Sequence, residues 1–164
     1  MRIAGLAWVR ACLLPILLCV AGCASTQHQA AEQAQGHWQG RLALKVFSKP
    51  VQALSANFEL LGQAEQGELT LSSPLGTMLA RMQWGPGMAT LTANGEQKHF
   101  DSLRELARKA TGTELPVASL FAWLQGHAAD AAGWQVDLTE LAQGRLQARH
   151  TEEVQAELKI ILDQ

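Results

Sequence analysis

Residue types that support covalent or metal chemistry are few in this sequence, and their spacing does not suit it. Along the body of the chain the histidines are His37, His99, His127 and His150. They form no His-Glu-x-x-His or His-x-His pattern, so no ready pair of ligands sits on one helix or strand face. No Gly-x-Ser-x-Gly turn presents a serine nucleophile. Gly85-Pro86-Gly87 lacks the third glycine and the following helix of a phosphate-binding loop. Glu152-Glu153 and Asp137 with Glu140 are close carboxylates, but they read as solvated strand ends and a turn. All three cysteines lie in the first 23 positions. That removes a disulfide scaffold, a cysteine-ligated zinc and a cysteine nucleophile from the rest of the chain. With 164 residues, 48% hydrophobic and 17% charged, the chain is expected to form one globular domain. Its net charge of −2 argues against a nucleic-acid partner, which requires a basic surface. The chain is expected not to be an enzyme.

The one cysteine with a role to play is Cys23. Residues 1–22 read as a signal peptide. Arg2 and Arg10 are their only charges, and an apolar run from Ala11 to Ala21 follows, broken by Pro15. The run falls short of the roughly 20 residues a helix needs to span a bilayer. Val20-Ala21-Gly22-Cys23 resembles a bacterial lipobox, a signal in which the thiol gains a diacylglyceryl group, cleavage falls before the cysteine, and the new amine is acylated. The other reading is an ordinary secretory peptide or short anchor with an incidental cysteine. Loss of residues 1–22 would remove two of 13 basic residues and none of the 15 acidic ones, making the processed chain more acidic. It would leave no free thiol, as suits an oxidising periplasm. The lipid on Cys23 would be the only non-protein group. More than one acyl chain makes a stable anchor, at about 0.8 kcal/mol per buried CH₂. Ala24, not Asp, follows Cys23, which favours the outer over the inner membrane. Residues 23–36 are small, polar and rich in Ala and Gln, and read as a tether or a loose helix, a tether fitting their place between the lipid and a single domain over 37–164.

The domain is built mostly from period-two alternation. From His37 to Phe47, Trp38, Leu42, Leu44 and Val46 share a face with Gly40, while Gln39, Arg41, Ala43 and Lys45 take the other. Ala53–Leu60 repeats this with Leu54, Ala56, Phe58 and Leu60. Further strands are expected over 68–72, 78–84, 88–93, 96–100, 134–138, 145–150 and 154–162. In the strand over 78–84, Met78, Ala80, Met82 and Trp84 are expected on one face. Gly85-Pro86-Gly87 and Asn94-Gly95 supply turns. Two helices fall between the strand groups. Asp101 is expected to cap a helix over 102–111 that Gly112 ends, and a second helix runs from Pro116 to Gln125 before Gly126. On that helix Leu120, Phe121 and Leu124 share a face and Trp123 points partly elsewhere. Strands, then helices, then strands without β-α-β alternation argue against a parallel sheet. The expected class is mostly β with α (α+β), a curved antiparallel sheet with the two helices packed on its concave face.

Two features stand out on that frame. Leu75 sits between Pro74 and Gly76 in a loop between strands. Left in water it forfeits roughly 1.5–3 kcal/mol of burial, so either it folds back on Met78 or Leu79, or something outside the chain covers it. The inward faces carry Met, Leu and Ala with few large aromatics. They are either the core of a packed sheet or the lining of a cavity for flexible apolar chains.

The chain resembles the LolB family of outer-membrane lipoproteins. The resemblance rests on the lipobox, Gly40-Arg41-Leu42-Ala43, Leu71-Ser72-Ser73-Pro74-Leu75-Gly76, Thr111-Gly112-Thr113-Glu114-Leu115-Pro116-Val117, Leu120-Phe121-Ala122-Trp123-Leu124-Gln125-Gly126 and Trp134, in that order. It implies an incomplete antiparallel barrel capped by helices, with a hydrophobic cavity for acyl chains. On this reading Trp38, Leu42, Leu44, Phe58, Met78, Met82, Trp84, Leu120, Trp123 and Leu124 line the cavity, and Pro74, Leu75 and Gly76 form the loop that delivers cargo to the membrane. The implied function is to accept acylated lipoproteins from a periplasmic, LolA-like carrier and insert them into the outer membrane, acting as a monomer. The chain is shorter than familiar members in its C-terminal third, which a trimmed loop or a lost edge strand would explain. The competing reading is a lipid-anchored structural or assembly module of the envelope with a filled core.

Overall fold

Strands whose inward positions are apolar and whose outward positions are polar can lie side by side only if one common face is covered. In the computed structural model, which describes residues 36–111, 115–152 and 154–163, that constraint produces a single sheet. Among the described residues the sheet has nine strands: β1 Gly36–Val46, β2 Gln52–Gly62, β3 Gly67–Ser72, β4 Met78–Gly85, β5 Met88–Ala93, β6 Glu96–Phe100, β7 Trp134–Asp137, β8 Arg145–His150 and β9 Ala156–Leu162. Their order is β6-β5-β4-β3-β2-β1-β9-β8-β7 and every pairing is antiparallel. The edges β6 and β7 do not pair, so the barrel is open. The described residues belong to one compact unit, and residues 1–34 form a separate part of the chain. That part, with the expected signal peptide and Cys23, lies outside the described residues.

The longest pairing, β1 with β2, holds one register over eleven residues, from Gly36 opposite Gly62 to Val46 opposite Gln52. Leu42, Leu44 and Val46 thereby stand beside Ala56, Leu54 and Gln52. On its other side β1 pairs with β9, and Gly40 is what allows the approach. Its φ is +154°, and a Cβ there would fall on the backbone carbonyl oxygen of Ile161. Glycine is the residue without that atom.

One expectation about β4 fails. Leu71 pairs with Ala80 but Ser72 pairs with Met78, so Leu79 is an extra residue and the register shifts there. A bulge of this kind breaks the alternation beyond it. Met78 stands opposite Ser72 instead of continuing the face of Ala80, Met82 and Trp84.

The chain leaves edge strand β6 and reaches the other edge, β7, by way of two helices, α1 Leu103–Thr111 and α2 Val117–Leu124. Ser102, not Asp101, caps α1. Its Oγ accepts the Glu105 N–H at 3.2 Å, while Glu105 Oε2 accepts the Asp101 N–H at 3.2 Å. This is a reciprocal arrangement close to a capping box. The expected stop at Gly112 lies outside the described residues. α2 is one residue shorter at each end than its sequence pattern suggests. It closes with the Gly126 N–H on the Trp123 carbonyl (2.9 Å) and the His127 N–H on the Ala122 carbonyl (2.8 Å), a Schellman ending. Leu106 and Ala107 of α1, with Phe121, Trp123 and Leu124 of α2, are buried against the sheet. A short 3₁₀ turn, Leu141–Gln143, precedes β8.

Candidate functional site

The space between the concave face and the helices is not completely filled. A cavity of about 110 Å³ remains there. Its sheet wall comes from Leu42 and Leu44 of β1, Leu54, Phe58 and Leu60 of β2, Leu69 and Leu71 of β3, Met82 and Trp84 of β4, and Leu158 and Ile160 of β9. Its roof is Leu103, Ala107 and Ala110 of α1, the Leu115-Pro116-Val117 entry to α2, and Leu120, Trp123 and Leu124. Thr111 is its one polar side chain, and that hydroxyl donates to the Ala107 carbonyl at 2.8 Å. A space whose lining offers so few polar partners stays dry and suits hydrocarbon.

Three aromatic rings fix the roof over the wall. Phe121 meets Trp38 edge-on, with centroids 5.6 Å apart, and meets Trp84 edge-on at 6.2 Å. Each such pair contributes about 0.5–1.5 kcal/mol beyond its buried area. The indole N–H groups are directed out of the cavity into backbone acceptors. Trp84 donates to the Gln63 carbonyl at 3.1 Å and Trp123 to the Ala129 carbonyl at 2.9 Å. Each tryptophan therefore gives the cavity only its apolar body.

The structure gathers Leu42, Leu44, Phe58, Met82, Trp84, Leu120, Trp123 and Leu124 around one cavity. Two of the expected lining residues stand elsewhere. The β4 bulge leaves Met78 48% exposed and outside the wall. Trp38 packs beside the cavity, against Phe121, without lining it. Trp123 does point partly elsewhere than Phe121: its indole N–H reaches the Ala129 carbonyl while its body lines the cavity. It is 0% exposed, because the cavity and the 129–131 loop together enclose it. Leu158 and Ile160 of β9 and Leu103 and Ala107 of α1 are among the residues that add to this lining. Their alternation and 3–4 spacing were visible in the sequence, but nothing local told which neighbours the strand and helix would meet.

Leu75 occupies the tip of the β3–β4 hairpin. The Gly76 N–H donates to the Ser73 carbonyl (2.9 Å), the Ser73 N–H to the Thr77 carbonyl (2.8 Å), and the Thr77 N–H to Ser73 Oγ (3.2 Å). Pro74 and Leu75 are thus the central pair of a turn, and Gly76, at φ +83°, supplies the left-handed residue that rejoins the strand. The side chain does not fold back on Met78 or Leu79. It is 94% exposed, the most exposed large hydrophobic side chain among the described residues.

Asp137 and Glu140, one of the two close carboxylate pairs of the sequence, have structural partners. Asp137 accepts the Thr139 hydroxyl (2.7 Å) and the Thr139 N–H (2.9 Å), which hold its carboxyl below the usual value. Glu140 takes both arms of Arg145, at 2.9 and 3.2 Å, and this hydrogen bonding raises the guanidinium's pKa. Among the described residues no group of three or more His, Cys, Asp or Glu is placed to hold a metal ion.

The family model described as outer membrane lipoprotein LolB matches residues 35–162. The outer-membrane lipoprotein LolB of Bordetella petrii is 35% identical over 130 residues, an alignment that covers 76% of this chain and 64% of that protein. The protein of the same name from Chromobacterium violaceum is 30% identical over 135 residues, covering 78% and 73%. That from Cellvibrio japonicus is 32% identical over 130 residues, covering 70% and 63%. The chain thus spans a little under two thirds of the Bordetella and Cellvibrio relatives.

Proposed function

Because the chain belongs to the LolB family, we propose that it is an outer-membrane lipoprotein, held by acyl groups on Cys23 and facing the periplasm, that accepts acylated lipoproteins from a periplasmic carrier and releases them into the membrane's inner leaflet. The observation that carries this reading is the apolar cavity roofed by α1 and α2. Acyl chains cost about 0.8 kcal/mol per CH₂ in water, so a protein that moves them through an aqueous gap must enclose them. The cavity supplies a matching surface, and the tryptophan N–H groups, tied to backbone carbonyls, do not compete for it.

The resting space is too small for such cargo. About 110 Å³ is less than the ~150 Å³ cavity that admits one benzene. Loading therefore requires the helices to separate from the sheet, with Phe121 leaving Trp38 and Trp84. No covalent step is needed. Each transfer proceeds because the acceptor binds the acyl chains more favourably than the donor, in the order carrier, this protein, bilayer. Leu75, held out in water by a rigid turn, is placed to enter hydrocarbon when the protein meets the membrane.

Two measurements test this. An acylated peptide brominated along its chain should quench Trp84 and Trp123 fluorescence, and should do so equally in a Trp134→Phe variant, since Trp134 lies outside the cavity lining. Depletion of the protein in living cells should strand other lipoproteins short of the outer membrane. Unchanged tryptophan emission, or normal lipoprotein placement, defeats the proposal. The alternative of a filled structural module predicts both of those null results.

A further inference from the structure

Exposed large hydrophobic side chains are not scattered over the described residues. Phe47, Val51, Leu54, Leu75, Met78 and Leu79, six of the nine, lie where β1 ends, β2 begins, β3 ends and β4 begins. Antiparallel pairing puts those four strand ends at the same end of the sheet. The Asn57 amide, donating to the Ser73 carbonyl at 3.3 Å, ties the start of the Leu75 hairpin to β2. The β1–β2 connection offers two apolar side chains of its own, Phe47 (41% exposed) and Val51 (55% exposed).

The two hairpins that carry these side chains differ in charge from the rest of the chain. Residues 42–58 and 69–80 contain Lys45 and Lys49 and no acidic residue, in a protein whose net charge is −2. Lys45 Nζ lies 4.7 Å above the Phe47 ring. Glu157 of β9 stands directly opposite Lys45 and also lies 3.8 Å from Arg149, while Glu96 at the start of β6 and Glu152 after β8 are the other acids at this end. Cationic stems beside exposed apolar rings match a lipid surface with anionic headgroups, where lysines meet phosphate while the rings enter hydrocarbon.

Part of the cavity lining also reaches the surface at this end. Leu54 lines the cavity and is 38% exposed. It stands opposite Leu44, two residues from the Val46–Gln52 pair that closes the β1–β2 hairpin. Leu54 is therefore a partly exposed lining residue three positions from the exposed Val51.

We propose that the β1–β2 loop is a second bilayer-docking element, in which Phe47 and Val51 enter the interface and Lys45 and Lys49 hold anionic phospholipid headgroups, so that the cavity opens at Leu54 directly onto the membrane. This rests on the acyl-transfer reading above and adds a site to it. Leu75 alone is one point of contact and leaves the protein free to pivot. Two loops fix which way the mouth faces.

The test uses the acylated protein in vesicles of phosphatidylethanolamine and phosphatidylglycerol whose chains are brominated. An environment-sensitive probe is attached at Val51→Cys, at Leu75→Cys, and at Met88→Cys, an exposed residue where β4 turns into β5 at the other end of the sheet. The expected result is strong quenching at 51 and 75 and little at 88. Combining Lys45→Gln with Lys49→Gln should weaken quenching at 51, each lysine at an anionic surface being worth about fivefold in affinity. Replacing phosphatidylglycerol with phosphatidylcholine should do the same. Quenching at 75 without quenching at 51 overturns this inference and leaves the Leu75 reading standing. Equal quenching at 51 and 88 overturns it too, since the protein then lies on the membrane without orientation. Absence of quenching at both 51 and 75 defeats both. Shielding of the probe at 51 by a carrier protein, in place of lipid, would assign the loop to protein docking and reject the proposal.

Discussion

Replacing Leu75 with serine separates folding from delivery. The side chain is 94% exposed, and the turn that carries it is closed by backbone groups and the Ser73 hydroxyl, none of which the substitution touches. The effect on stability should therefore stay within about 0.5 kcal/mol, a shift of at most about 3 °C in Tm for a domain of this size. Moving a leucine side chain from water into hydrocarbon is worth about 1.5–3 kcal/mol, which corresponds to about ten- to a hundred-fold in an equilibrium or rate that depends on it. Leu75 is not part of the cavity lining, so loading of acylated cargo should be unchanged. The assay loads the acylated protein with a fluorescent lipoprotein and follows its appearance in vesicles. Loading at the normal rate, release slowed by about one to two powers of ten, and cargo accumulating on the protein are the expected results. Release at the normal rate refutes the membrane role of Leu75. A fall in Tm well beyond that range, or a loss of loading, refutes the premise that the side chain contributes nothing to the folded state.

Phe121→Leu should remove both edge-on ring contacts while keeping the position apolar, costing about 1–3 kcal/mol from the two pairs. Amide exchange in α2 should accelerate and uptake of acylated peptide should quicken; slower uptake would show that Phe121 does not hold the roof down. Gly40→Ala should destabilise the domain by more than about 3 kcal/mol, a value reserved for strained or clashing sites, because its Cβ falls on the Ile161 carbonyl; chemical denaturation checks it, and a normal midpoint would mean that β9 can retreat from β1. Thr139→Val removes the hydroxyl donor that is the main cause of Asp137's lowered pKa. The depressed folded value means that the group's contribution is present above the usual carboxylate pKa and lost as pH falls toward the folded one. The variant should therefore titrate at higher pH by carboxyl NMR, and an unmoved titration would refute the assignment.

The strands were legible because alternation is a local signal and most of them obey it without interruption. β5, β6 and β8 have the residue limits that the pattern gives. Where an extra residue enters, the pattern misleads. Met78-Leu79-Ala80 is a run of three apolar residues, and reading it as continuous alternation puts Met78 on the wrong side of the bulge. The run itself was the available clue. The complete burial of Trp123 was not legible, for a different reason. A helical projection shows which residues share a stripe, but α2 is covered on more than one side, by the sheet and by the 129–131 loop, and that enclosure arises from chain closure far along the sequence. Leu75 could be singled out because proline and glycine flank it. Its exposure could not be read, since folding back on Leu79 was equally compatible with the residues. The cavity was the least legible feature. Its walls are the same leucines that would fill a core, and only their spacing in three dimensions distinguishes the two.

The small resting cavity has an energetic consequence for the proposed transfer of acyl chains. A sixteen-carbon chain at about 0.8 kcal/mol per CH₂ would gain about 13 kcal/mol on leaving water for a preformed apolar space, and a site that tight would hold its cargo against the bilayer. In this structure the roof already covers most of that surface. Cargo must displace Phe121 from two tryptophans and expose the inner faces of α1 and α2 before it is enclosed. The opening cost is subtracted from the gain, as it is for any ligand that selects a minor state. The same packing that stabilises the empty protein therefore lowers its affinity for acyl chains and lets the closing roof drive them out. Affinity then depends on how firmly the roof is held, so variants that loosen α2 should bind cargo more tightly and release it more slowly, whereas variants at Leu75 should alter release alone.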